Sequence, residues 1–279
     1  MIKILHSKVV LVALAFILFI ATAHAESVYD RVMKSGKIRC AYTICPPGVV
    51  KDPNTGKLSG IVIDAMTKAA ENLQLKAEFT EEVPWGSQIE GLMSDRYDVV
   101  LYVWVNSTRA RSADFTIPLF YSGIGAYVRP NDTRFNNSIE AINDPSVKIA
   151  TLEGEGSSMI AKSQFPKAKE LAIPQLSGLN ELLLNVSSGK ADVTFVELSN
   201  AADYLKQNPN SVKNVALKKP INLFPNSVMF KRGEIEFKDM LDNAFAELLN
   251  SGYVEALNKK YESFPGAVYP VASPYQAPH

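Results

Sequence analysis

The sequence predicts an α/β protein built as two lobes, and three observations support this prediction. Apolar runs of strand length alternate with stretches of helical periodicity, which is typical of parallel βα units. The pattern starts again after a turn-rich stretch at residues 129–132. The 279 residues suffice for two ordinary domains, and a hydrophobic content of 47% supplies a core for each.

Each half of the chain contains several such units. In the first half, strands are predicted at 38–43, 76–83, 98–103 and 121–128, and helices at 61–73 and 88–93. In the second half, strands are predicted at 147–152, 193–196 and 227–230, and helices at 179–187, 198–207, 235–250 and 253–261, with a further helix ending at 161. From Val268 the chain is rich in Pro and Ala, which predicts a loose tail.

Two turn-rich crossings, near residues 130 and 222, set the predicted domain organisation. The chain passes from the first lobe to the second and then returns. The predicted parts are a first lobe at 26–129 and 224–264, a second lobe at 130–223, and a tail at 265–279. A cleft between two lobes is a common ligand site, and closure about two crossing strands would be a hinge motion.

Residues 1–25 have the features of a secretory signal peptide. Lys3 and Lys8 flank the start, an unbroken apolar run follows at 9–20, and Ala23 and Ala25 occupy the small-residue positions of a cleavage site. A helix of about 12 residues rises only ~18 Å, which is short of the ~30 Å hydrocarbon core. We therefore expect export and a mature chain that begins near residue 26; the alternative is an uncleaved anchor.

Composition excludes several classes of function. Basic and acidic residues balance at 29 each and no basic run occurs, so the electrostatic footprint of a nucleic-acid-binding protein is missing. The three histidines are His6, His24 and His279, so the mature body contains none. This removes Ser-His-Asp and Cys-His nucleophile systems and imidazole metal sites. We predict no catalytic residue, no metal and no cofactor.

The two cysteines leave one question open. Cys40 and Cys45 have four residues between them and no second pair accompanies them, so neither a zinc site nor a CxxC redox motif is indicated. In an oxidising compartment they could form a local disulfide. The alternative is two buried thiols, and geometry decides between the two.

Two segments are candidates for contact with an anion. The segment 154–158 follows a predicted strand and opens a helix, so its backbone N–H groups could hold an anion, or it could be a tight turn with Ser157 as the N-cap. Arg109 and Arg111 follow a buried strand, and either could pair with a carboxylate. The alternative is one surface arginine and one paired with Asp114.

Four motifs, in this order and spacing, resemble those of bacterial periplasmic solute-binding proteins of family 3, the amino-acid-binding type. They are Gly60 to Asp64, Thr108-Arg109 followed by Asp114-Phe115-Thr116, Gly189 to Asp192, and Gly252-Tyr253 followed by Lys259-Lys260-Tyr261. The resemblance covers residues 28–264. It implies the type II periplasmic-binding-protein fold, in which each lobe is a mixed sheet flanked by helices and two hinge crossovers join them. It also implies a monomer in the periplasm that traps a small polar solute and delivers it to an inner-membrane ABC permease.

The resemblance also assigns roles to site residues. It makes Arg109 the clamp for a ligand α-carboxylate and the turn Glu155-Gly156-Ser157 a second carboxylate contact. Glu197 stands where the family has an aspartate that pairs with the α-ammonium. The positions that wall the side-chain pocket are Tyr42, Cys45 and Trp85. From spacing alone, Trp85 and Trp104 could equally be core residues.

Four departures from the family pattern point to an unusual ligand. Tyr102 and Trp104 replace small or hydroxyl residues, Glu155 replaces a common threonine, and Gly48 replaces an aromatic residue. We therefore expect Tyr102 and Trp104 at the site and a ligand other than an ordinary α-amino acid, such as a cationic or hydroxylated small metabolite.

Two alternative functions remain at this stage. Cyclohexadienyl dehydratases resemble these binding proteins, and a desolvated Glu155 or Glu197 could act as their general acid. The chain could also be a ligand sensor, or an accessory protein for a periplasmic dehydrogenase, acting with a separate partner.

Overall fold

The computed structural model describes residues 26–216 and 219–271; the predicted signal peptide lies outside these residues. The described helices are α1 (Val28–Ser35), α2 (Ile61–Asn72), α3 (Gln88–Met93), α4 (Gly156–Gln164), α5 (Leu179–Ser187), α6 (Leu198–Gln207), α7 (Ile235–Asn250) and α8 (Tyr253–Tyr261). Within this part of the chain, no helix has both the length and the apolar character that crossing a membrane requires.

Most strands belong to one curled mixed sheet. The strands are β1 (Lys37–Tyr42), β2 (Val50–Lys51), β3 (Leu58–Ser59), β4 (Lys76–Glu82), β5 (Val99–Trp104), β6 (Ala113–Phe115), β7 (Phe120–Val128), β8 (Lys148–Leu152), β9 (Lys169–Ile173), β10 (Val193–Glu197), β11 (Lys213–Asn214), β12 (Asn222–Lys231) and β13 (Val268–Pro270). The sheet order is β4-β1-β5-β12-β7-β10-β8-β9, and β2 and β3 form a separate hairpin. Strands β4, β1 and β5 are parallel at one end, and β10, β8 and β9 are parallel at the other. The α/β class is therefore confirmed.

The two long strands β7 and β12 connect the two parallel ends. One half of β12 pairs with β7 and the other half pairs with β5, while the second half of β7 pairs with β10. These are the two crossings that the turn signals placed near residues 130 and 222. The residue boundaries of the lobes stay predictions.

Each end of the sheet has its own core. In the first lobe, helix α2 buries Ile61, Ala65, Met66 and Ala69 in a cluster that also contains apolar residues of α7 and α8. In the second lobe, α4 and α5 contribute to two further clusters against β8 and β10. Because the strands are covered by helices, their loops at the carboxyl ends are left to form a site.

The structure adds elements that the sequence patterns missed. Helix α1, the β2–β3 hairpin, β6 and β9 were not predicted, and β12 is longer than the predicted 227–230. It runs through Pro225, whose carbonyl still accepts a hydrogen bond from Val105 N at 3.1 Å. Edge strand β9 is largely exposed and so lacks the apolar run that marks a buried strand.

The predicted loose tail at 265–279 is wrong for Val268–Pro270. These residues form β13 and pair with Phe120–Ser122 of β7. Val268 is buried in the first-lobe core cluster. A Pro- and Ala-rich composition therefore did not prevent the backbone from pairing with the side of β7 that β12 does not occupy. The rest of the tail beyond residue 271 lies outside the described residues.

Candidate functional site

A cavity of about 470 Å³ lies where the loops after β5, β8 and β10 meet. The carboxyl ends of strands in α/β sheets are the usual place for ligands. Residues of both lobes line it: Cys45, Trp85, Trp104, Asn106, Thr108, Arg109, Gly154, Glu155, Gly156, Ser158, Met159, Lys162, Ser163, Leu179, Val196, Glu197 and Asn200.

Arg109 extends into this cavity from a single 3₁₀ turn after β5. Its backbone N donates to Asn106 Oδ1 at 3.0 Å, which fixes the turn. Its Nη2 donates to Gly154 O at 3.4 Å across the cleft, a long and weak contact. Burial lowers the pKa of the guanidinium to about 10, so it stays charged at neutral pH.

Arg111 lies outside the cavity and is exposed. The predicted pairing of one arginine with Asp114 is not found among the described residues, because Asp114 Oδ2 accepts from Gly233 N at 2.8 Å instead. Of the two candidate arginines, the structure therefore places Arg109 at the cavity.

Glu155 caps helix α4 with its own side chain. Its Oε2 accepts from Ser157 N at 2.7 Å, so the prediction of Ser157 as N-cap is wrong. The Ser157 hydroxyl is fully buried and accepts from Leu152 N at 3.0 Å. This bond connects the turn to β8, so the hydroxyl does not face the cavity. Burial raises the pKa of Glu155, although the helix amides and Arg109 oppose this.

Glu197 ends β10 and meets both aromatic residues that depart from the family pattern. Its Oε2 accepts from Tyr102 OH at 2.6 Å, and its Oε1 accepts from Trp104 Nε1 at 2.9 Å. The carboxylate is buried, and this burial raises its pKa to about 7. The proton of this carboxyl group is therefore held to higher pH than that of an ordinary glutamate.

Tyr102 reaches Glu197 through an unusual backbone. It has φ +59 in the middle of β5, where the register with β12 shifts. The left-handed region is unfavourable for a bulky residue, so the surrounding contacts must hold this conformation. Its ring fills the space at Gly48, where a Cβ would lie 2.5 Å from Tyr102 Cδ1. The Tyr102 ring therefore leaves no room for a side chain at position 48.

Trp104 is matched to a second glycine in the same way. A Cβ on Gly156 would overlap the indole ring. On its other side the indole stacks on Phe224, with ring centroids 4.6 Å apart. The rings of Tyr102 and Trp104 therefore occupy space that is available only because residues 48 and 156, which are distant in sequence, are glycines.

The other predicted site residues divide into two groups. Cys45 and Trp85 line the cavity, whereas Tyr42 is buried in the first-lobe core and does not. Tyr102 and Ser157 were also predicted at the site but do not line the cavity, because the hydroxyl of Tyr102 is hydrogen-bonded to Glu197 and that of Ser157 to Leu152 N. Cys40 and Cys45 are both buried free thiols, which decides the cysteine question against a disulfide.

Sequence reasoning missed Asn200 on α6. Its Nδ2 donates to Pro46 O at 3.0 Å, and its Oδ1 lies 3.8 Å from Cys45 Sγ, so it bridges the two lobes beside the cavity. Its place three residues after a strand end was the only available signal. In the described ranges, no group of three or more His, Cys, Asp or Glu side chains is arranged to hold a metal ion.

The fold and the cleft define a two-lobed binding protein, and comparison with known proteins identifies its family. Residues 38–264 match the bacterial extracellular solute-binding proteins, family 3, and the chain belongs to this family. The predicted family membership and substrate-binding function are therefore confirmed, and the fold is that of type II periplasmic binding proteins.

Individual relatives include binding proteins and one enzyme. A probable amino-acid ABC transporter-binding protein of Haemophilus influenzae is 30% identical over 245 residues, covering 85% of this chain and 86% of that protein. The cyclohexadienyl dehydratase of Pseudomonas aeruginosa is 25% identical over 189 residues, covering 66% and 69%. The solved structure of the ancestral amino acid-binding protein AncCDT-1, a precursor of cyclohexadienyl dehydratase, has a TM-score of 0.72 and 27% identity, covering 85% of this chain and 100% of that one.

Proposed function

We propose that this protein traps a small polar solute in the cavity and delivers it to an inner-membrane ABC permease. The observation that carries the proposal is the cavity itself, which brings Arg109 of one lobe against Glu155, Gly156 and Glu197 of the other. Opposite charges on two walls suit a polar solute that touches both. The relative from Haemophilus influenzae, named as an ABC transporter-binding protein, supports the transport role.

Contacts that cross the cleft favour trapping by closure. Arg109 reaches Gly154, Asn200 reaches Pro46, and Tyr102 reaches Glu197. These contacts form when the lobes approach about β7 and β12. A solute that bridges both walls shifts the equilibrium toward this closed arrangement in proportion to its differential affinity.

The proposal includes the cellular setting. The signal peptide at 1–25 exports the chain, and the mature protein acts as a monomer in the periplasm with no catalytic residue. Family membership among extracellular solute-binding proteins supports this setting.

A thermal-shift screen tests the proposed function. Purified mature protein is heated with amino acids, hydroxy acids, oxo acids and amines, each well above the expected Kd. A solute at 100 times its Kd raises the free energy of unfolding by about 2.7 kcal/mol, which is a readily measured shift in Tm. If no solute shifts the Tm, the proposed function is contradicted.

A second candidate function rests on Glu197. A cavity carboxyl group with a pKa of about 7 has the property expected of a general acid. The relative named cyclohexadienyl dehydratase makes elimination of water from a cyclohexadienyl substrate the reaction to test. Incubation with prephenate or arogenate would give aromatic product, and Glu197→Gln would abolish it. A lack of product leaves binding as the function.

A further inference from the structure

We propose that the ligand of this cavity is a carboxylate without a neighbouring ammonium group, such as a 2-hydroxy or 2-oxo acid. This inference rests on the proposed binding function and specifies its substrate class. It follows from which charged groups of the cavity are already engaged by the protein and which are not.

Glu197 is the first engaged group. Its carboxylate is the expected partner of a ligand ammonium group. Both of its oxygens, however, already accept short hydrogen bonds, at 2.6 Å from Tyr102 OH and at 2.9 Å from Trp104 Nε1. Its exposed fraction is 4%. An ammonium placed there would have to compete with two donors that the packing around Gly48 and Gly156 holds in position.

Glu155 is the second engaged group. Its Oε2 accepts from Ser157 N at 2.7 Å, and the carboxylate stands at the amino end of α4. The helix amides already offset part of its negative charge. Glu155 therefore attracts a cationic group less strongly than a carboxylate without such partners would, although its Oε1 has no hydrogen bond from a described residue.

Arg109 is the opposite case. Its guanidinium has five N–H donors, and its recorded hydrogen bond is the 3.4 Å contact to Gly154 O. Among the described residues, no carboxylate oxygen lies within 4 Å of it, unlike the guanidinium of Arg39, which is 2.7 Å from Asp98. A planar guanidinium group with free N–H donors in a cavity suits a carboxylate, which it can bind through two parallel hydrogen bonds.

The cavity therefore contains N–H donors, those of Arg109, that lack a hydrogen-bond acceptor. Ligand hydroxyl or carbonyl oxygens also suit the neutral lining residues Asn106 and Thr108. The other cationic residue of the lining, Lys162, already has a carboxylate partner, because its Nζ lies 3.6 Å from Glu170 Oε2. The aromatic and aliphatic walls, which include Trp85 and Leu179, suit an apolar remainder of the ligand.

The test compares acids that share a carbon skeleton. The probes are alanine with lactate and pyruvate, glutamate with 2-hydroxyglutarate and 2-oxoglutarate, and phenylalanine with phenyllactate and phenylpyruvate, together with the corresponding amines that lack the carboxylate. Both tryptophans of the sequence line the cavity, so binding is followed by their fluorescence and the Kd is measured by calorimetry. We expect the hydroxy or oxo acid of the best skeleton to bind at least tenfold more tightly than its amino acid.

A double variant tests the cause. Tyr102→Phe with Trp104→Phe removes both donors to Glu197, and we expect the preference to move at least tenfold toward the amino acid. Tyr127→Phe is the matched control, since it also removes the hydroxyl of a buried tyrosine but lies outside the cavity. We expect it to leave the preference unchanged.

Three results would overturn the proposal. They are tighter binding of an amino acid by the wild type, an unchanged preference in the double variant, and binding of amines with no binding of any acid. Each leaves the proposed binding function standing, because a solute is still bound. If none of the probes and none of the wider thermal-shift panel binds, the proposed function itself fails.

Discussion

Two buried carboxylates, one in each parallel part of the sheet, have very different surroundings. Asp98 stands just before β5 and accepts from the guanidinium of Arg31 and from Arg39, whose Nη2 and backbone N lie at 2.7 and 2.8 Å. Glu197 stands at the end of β10 and accepts from the neutral groups of Tyr102 and Trp104.

This difference separates a carboxylate that the fold requires from one that belongs to the cavity. Two guanidinium groups compensate the charge of Asp98, which joins α1 and β1 to the start of β5. Neutral donors compensate Glu197 only in part, so burial keeps its pKa near 7. The charge of Glu197 therefore varies with pH, and its substitution should affect stability and ligand binding in ways that substitution of Asp98 does not.

The largest effect on stability is expected from Asp98→Asn. The substitution leaves Arg31 and Arg39 without their buried anion, and such a loss costs 3–5 kcal/mol when both partners are buried. Because the two arginine side chains are 25% and 31% exposed, we expect a loss of about 2–3 kcal/mol in the free energy of unfolding. Urea denaturation measures it, and the Kd for any solute should stay unchanged. A loss below about 0.5 kcal/mol would remove the contrast with Glu197.

Glu197→Gln is expected to change the pH dependence of stability. The folded protein keeps the Glu197 proton up to a pKa of about 7, whereas the unfolded chain loses it near the ordinary value of 4.5. This group's contribution to the free energy of unfolding therefore falls as pH rises through that window and is constant above it. Relative to wild type, the variant should gain about 2–3 kcal/mol between pH 4.5 and pH 8. Urea titrations at several pH values measure this gain, and two parallel curves would contradict the assignment.

A smaller effect is expected from Gly156→Ala. The added methyl overlaps the Trp104 ring, so the indole must shift and its hydrogen bond to Glu197 is weakened. Overpacking of this kind costs about 1–3 kcal/mol. Gly178→Ala is the matched control, because its φ is −79 and no atom lies near its added Cβ. Equal thermal stability of the two variants would show that the packing of Trp104 on Gly156 does not hold the indole.

Local patterning was enough to predict most of the fold. Helices α6 and α8 have the predicted bounds, since an amphipathic face determines where each begins and ends. Strands β9 and β13 were missed because they pair at exposed or Pro-containing positions, and that pairing depends on the tertiary neighbour rather than on an apolar run.

The site was only partly predictable. Its position after a buried strand made Arg109 a candidate together with Arg111, because strands of parallel units present their carboxyl ends together. The choice of Arg109 and the assignment of Glu197 came from the resemblance to the family. The hydrogen bonds from Tyr102 and Trp104 to Glu197 could not be predicted. They depend on the left-handed backbone of Tyr102 and on space at Gly48 and Gly156, which belong to other segments of the chain.

The central claim is that the protein holds a solute through the guanidinium of Arg109. Its most direct test is the Kd of the tightest-binding carboxylate, measured by calorimetry for wild type, Arg109→Gln and the matched control Arg111→Gln. Loss of one partner of a desolvated charge pair costs about 2–5 kcal/mol, so Arg109→Gln should weaken binding at least 30-fold. Arg111 is exposed and outside the cavity, so its variant should bind as wild type does. A wild-type Kd in Arg109→Gln would contradict the claim.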